Sequence, residues 1–174
     1  MLISETKPNS RAISIVGVMD LIYFGTLSGL AIMMPFFPFQ GLTGPIVNAI
    51  ILIAVVILGL RRALLICILP SMVALSSGLL PFVLAPMIPF IILGNMLLAI
   101  VFEKLYKQNF WSAVGVGALA KFGFIFVAGQ IVIKFFINQT VSSKILAFIS
   151  WPQFLTALGG GVIAFVFLKT IKKI

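Results

Sequence analysis

Long apolar runs alternate along the chain with short polar or proline-rich breaks, and six of the runs have the length of a membrane-crossing helix. They lie at about 12–34, 43–60, 63–80, 86–102, 111–133 and 145–168. A helix rising about 1.5 Å per residue crosses the hydrocarbon layer in roughly 20 residues, and about 17 suffice for a short span. The first, fifth and sixth runs are long, whereas the second, third and fourth are near the lower limit and carry proline. Pro45 opens the second, and Pro86 and Pro89 open the fourth, where a missing N–H breaks no helical bond. Pro70 falls inside the third and is expected to kink it. The first run exceeds a signal-peptide core and lacks a cleavage site, so it reads as a retained span. The pattern predicts an all-α membrane protein, one integral domain over residues 1–174 built as a compact bundle of six transmembrane helices.

The charges then orient that bundle. Of the 12 Lys and Arg residues, those at 7, 11, 61, 62, 104, 107, 169, 172 and 173 occupy every second gap between runs. The gaps Pro35–Leu42 and Pro81–Ala85 carry no charge, and the one around Phe135–Lys144 carries only Lys134 and Lys144. Cytoplasmic loops collect Lys and Arg while translocated loops do not, so both termini are expected in the cytosol of a cell membrane, with a prokaryotic plasma membrane as the setting. Composition agrees: 62% apolar and 9% charged residues, with a mean hydropathy of +1.29, exclude a soluble globule. The net charge of +9 is spread over four segments with no aromatic interleaving, so it reads as topology and not as a nucleic-acid surface. The single cysteine, Cys67, builds no disulfide framework within one chain.

With the sides assigned, polar residues inside the spans gain depths. Asp20 lies about 13 Å into the first helix from the cytosolic side, and Lys121 about 15 Å into the fifth. Opposite charges at matching depth suggest a buried ion pair; Lys121 holding an anionic or carbonyl-bearing ligand, and a proton or ion relay, are the alternatives. Asn48, Asn95, Gln130 and Gln153 fall about 5 to 14 Å below the outer surface on four different helices. Ser76 and Ser77 share that layer, and Trp151 sits just above Gln153. Over them run two uncharged apolar loops, the first being Pro35-Phe36-Phe37-Pro38-Phe39-Gln40-Gly41. Such loops either form a lid or anchor in the interface. Four amides beneath a possible lid have the composition of a small-molecule pocket, while interhelical amide bonds that glue the bundle are the plainer reading.

Other chemistry is thin. There is no His, and only Glu5, Asp20 and Glu103 are acidic, so neither a metal centre nor paired-carboxylate catalysis is expected, and no cofactor is implied. A serine nucleophile lacks a His base. No phosphate-binding loop occurs, so the chain alone has no means of driving transport with ATP. Asn138-Gln139-Thr140 matches a glycosylation sequon on the expected outer side. Gly25 and Gly29 form a small-residue pair that suits close packing within the bundle or against a partner. No long-period repeat supports an inverted-repeat carrier.

Six short spans, both ends inside, amides under apolar outer loops and no energy motif together resemble the substrate-binding S components of energy-coupling factor (ECF) transporters. Leu42-Thr43-Gly44-Pro45-Ile46-Val47-Asn48-Ala49 and Ala85-Pro86-Met87-Ile88-Pro89-Phe90-Ile91-Ile92-Leu93-Gly94-Asn95 look like segments of that group. The resemblance implies uptake of a small molecule, a vitamin or related micronutrient, with a transmembrane coupling subunit and two ATPase subunits as partners. It implies capture by Asn48, Asn95, Gln130 and Gln153, with Trp151 and Gln40 nearby, Lys121 at the pocket floor and the first outer loop closing the top. Members commonly dock through an Ala-x-x-x-Ala motif on the first helix; this chain has Gly25-x-x-x-Gly29 there instead. A membrane scaffold or assembly protein, or a small oligomeric carrier, is the competing class.

Overall fold

A computed structural model of the chain describes residues 10–37, 39–79, 82–136 and 151–174. Among them the regular structure is helical: α1 (Ser10–Met33), α2 (Gln40–Leu58), α3 (Leu60–Ile66), α4 (Leu69–Ser76), α5 (Ile88–Leu105), α6 (Phe110–Phe136) and α7 (Trp151–Thr170). Short 3-10 turns cover Met34–Phe36 and Phe82–Met87. Five helices, α1, α2, α5, α6 and α7, are long and apolar enough to cross a membrane. The fold is therefore compatible with a multi-pass membrane protein.

The third expected span departs from one kinked helix. Pro70 has no N–H to offer the Ile66 carbonyl, and its ring crowds that turn. The helix that starts at Leu60 accordingly stops at Ile66 and restarts at Leu69, with Pro70 in the new first turn. Two short helices thus stand where the sequence predicts a single span, and the span-length helices among the described residues number five, not six. The start of the sixth expected span, most of the loop before it, the Asn138-Gln139-Thr140 sequon and Glu5 lie outside the described residues.

The turns follow local chemistry. Gly59 alone joins α2 to α3, at φ +81°, a backbone angle that side-chain-bearing residues rarely adopt. Asn109 caps α6 by accepting a bond from the Ser112 N–H at 2.9 Å, which satisfies one of the amides that every helix start leaves open. Near that cap Phe102, Tyr106, Phe110, Trp111 and Phe165 pack ring against ring. They tie the end of α5 and the start of α6 to the last turns of α7, so Lys104, Lys107 and Lys169 share one end of the molecule.

The core centres on α2, which is buried from Asn48 to Val55. It is flanked most extensively by α7, while α5 and α6 pair with each other and α6 also meets α7. α1 rests on α2, α3 and α4.

Candidate functional site

Glycine decides where the polar residues meet. A Cβ placed at Gly160 of α7 would stand 2.5 Å from the Cβ of Asn48, 2.8 Å from the Pro45 carbonyl oxygen and 2.9 Å from the Ala49 nitrogen. Only glycine lets the α7 backbone come this close to α2. Gly44 faces Thr156 in the same way, with a virtual Cβ 2.7 Å from the threonine methyl. On the other side Gly94 of α5 admits Ile125 and the stem of Lys121, whose Cγ would lie 3.5 Å from an added Cβ. These approaches bring α2, α5, α6 and α7 together around one polar centre.

At that centre are Asn48, Asn95 and Lys121, the buried polar side chains among the described residues, each at most 3% exposed. The Lys121 ammonium donates to Asn48 Oδ1 at 2.7 Å. An ammonium has only donors, so it fixes the amide with its oxygen toward α6. Asn48 Nδ2 then points at Thr156 Oγ1, 3.4 Å away, and that hydroxyl donates to the Gln153 backbone carbonyl at 3.1 Å. A polar chain thus runs from α6 through α2 to α7.

The chain opens onto a cavity of about 740 Å³, within the range of small-molecule sites. Its polar lining includes Asn48, Asn95, Lys121, Gln153, Thr156 and Ser71. Its apolar lining includes Val47, Ile88 and Ile91, together with Pro35, Phe36 and Phe37 of the first connection. Pro70 contributes as well, so the break between α3 and α4 shapes one wall.

Of the residues expected in a pocket, Asn48, Asn95, Lys121 and Gln153 come together; others do not. Gln130 lies nine residues beyond Lys121 on α6, two and a half turns, and is exposed on the opposite side. Trp151 is 64% exposed and stacks on Phe122 with ring centres 5.5 Å apart, away from the cavity lining. Gln40 begins α2, and its side chain lies outside the described residues. Ser76 and Ser77 turn back to the Val73 carbonyl.

The expected pair of Asp20 with Lys121 is replaced by another. Asp20 accepts a bond from Arg62 Nη1 at 2.5 Å, both side chains being partly exposed. The reason is adjacency: α1 packs on α2, α3 and α4, whereas α6 packs on α5 and α7. Equal depth on two helices says nothing about which helices touch.

Thr156 and Ser71 were not singled out from the sequence. Thr156 lies three residues beyond Gln153, so the two share a helix face, a signal that was available. Ser71 follows Pro70 in the first turn of α4 and lines the cavity there. Gly25 and Gly29 pack against nothing: a Cβ added at either meets no atom within 4 Å.

The site offers an ammonium, amides and hydroxyls in an apolar enclosure, a set suited to holding a small molecule. Among the described residues no group of three His, Cys, Asp or Glu side chains converges to hold a metal ion. Compared with protein families, curated proteins and solved structures, the chain matches none.

Proposed function

We propose that the chain is a membrane-embedded subunit that binds a small molecule for uptake, energised by a separate ATPase module. The carrying observation is the cavity of about 740 Å³ into which Asn48, Asn95, Lys121 and Gln153 converge. In this reading the cell membrane holds the apolar helices, the termini and basic turns face the cytosol, and Pro35–Phe37 forms the outer rim. The cargo is a vitamin or related micronutrient, as in the S components that the sequence resembles. A transmembrane coupling subunit docks on α1, where Gly25 and Gly29 leave open space.

A scaffold reading draws on a different observation: the Lys121–Asn48–Thr156 chain also links three helices. Gentle purification of the full chain from its native membrane separates the two. The uptake reading expects a coupling subunit and two ATPase subunits to co-purify, and a bound small molecule to be released on denaturation. Recovery of the chain with neither contradicts it and favours the scaffold.

A further inference from the structure

Lys121 presents a charge problem that no acid among the described residues solves. Three acidic residues exist in the sequence. Asp20 is engaged by Arg62. Glu103 lies nine residues along α5 from Gly94, beside which the Lys121 stem runs, and so about 13 Å away along the helix. Glu5 is not among the described residues. Within the described residues Lys121 has one acceptor, the neutral Asn48 amide, and no carboxylate within ion-pair distance.

A neutral amide satisfies one of three ammonium donors and none of its charge. Leaving a buried charge in that condition is costly unless the group gives up its proton or a counter-charge arrives, and an anionic ligand keeps the ammonium charged. Lys121 lines the cavity, so its open donors border the space that a ligand enters. Asn95 of α5 lines it too, as a buried amide. The cavity lining therefore combines a cation with a buried amide. Gln153 and Thr156 add neutral polar groups, and much of the remaining wall is apolar.

We infer that the occupant is a singly charged anion, a small-molecule carboxylate whose oxygens sit on Lys121 and Asn95 and whose apolar body lies along Val47, Ile88 and Ile91. This rests on the ligand-binding reading above. One positive charge balances one negative charge. A doubly charged phosphate would bring a second negative charge into a cavity whose lining, among the described residues, holds no other Lys or Arg.

The test uses the full chain purified from native membranes, with the bound molecule released, identified by mass spectrometry and quantified per chain. Lys121→Gln removes the charge but keeps a donor for Asn48; thermal unfolding and size exclusion check that the variant folds. The expected result is a monoanionic molecule retained about tenfold less by Lys121→Gln, the scale of a lost charge-assisted hydrogen bond. A neutral, cationic or multiply charged molecule, or an anion that both proteins retain equally, overturns the inference and leaves ligand binding standing. A native chain that releases no molecule removes the binding reading itself, and the inference with it. Should Lys121→Gln misfold, the released acid and its methyl ester are rebound to the native chain emptied of ligand. The ester is expected to bind about tenfold more weakly, and equal affinities overturn the inference.

Discussion

α1 and α2 are both long, apolar helices, yet 56% of the α2 span is buried inside the protein and only 11% of the α1 span. α2 is the more apolar of the two, at a mean hydropathy of 2.4 against 1.5, but that difference alone does not set burial. In a bilayer, lipid accepts an apolar side chain as readily as protein does, so burial follows close-packing geometry. α2 meets helices whose glycines face it, with Gly160 against Asn48 and Ala49. The α1 glycines face nothing within 4 Å, and Leu21 on the same helix is 70% exposed. The seam where glycine meets polar side chain makes the site; the helix with unmatched glycines remains at the periphery.

The largest effect that bears on this contrast comes from Gly160→Val. Its side chain would overlap the α2 backbone, which cannot move aside as a flexible side chain can. A stability loss of about 3 kcal/mol or more is expected, read as a lowered Tm in detergent. An unchanged Tm breaks the comparison at its tighter side. Asn48→Ala comes next, because it strips Lys121 of its acceptor and Thr156 of its neighbour; about 2 kcal/mol is expected. Replacing Thr156 with Val is expected to cost less, since the bond from Asn48 is long, and the ordering of these two variants sharpens which link of the chain matters.

Smaller still is Asp20→Asn. Its partner Arg62 is partly exposed, and such pairs contribute about 1 kcal/mol or less. A large loss would show that α1 is held more firmly than its packing implies. Smallest is Gly25→Ala, for which no loss of Tm is expected, because the added methyl meets open space and alanine favours the helix. Co-purification of the proposed coupling subunit with Gly25→Ala then reads the docking role separately from stability.

Helix positions were legible in the sequence to within a few residues: 43–60 against Gln40–Leu58, and 111–133 against Phe110–Phe136. Apolar run length and proline at helix starts are local signals. Rotation about the helix axis was the harder quantity. Lys121 and Gln130 share a helix but stand half a turn out of phase, and Trp151 and Gln153 are about 200° apart. Applying the helical period relative to Lys121 and Gln153 would have removed Gln130 and Trp151 and added Thr156. Which helices are neighbours was not legible, and the expected Asp20–Lys121 pair failed there. Nor was the strength of the Pro70 effect: the same residue type signals a bend or a break, depending on how α3 and α4 pack.

The central claim is that the cavity bounded by Asn48, Asn95, Lys121 and Gln153 holds a small molecule, and native mass spectrometry of the intact chain in lipid nanodiscs, beside Ala74→Trp, tests it most directly. Ala74 lines the cavity, and tryptophan there fills it without altering a polar group. The account predicts one small-molecule adduct on the native chain, and an Ala74→Trp protein that folds but carries none. A bare native chain, or an adduct that survives Ala74→Trp in full, would contradict it.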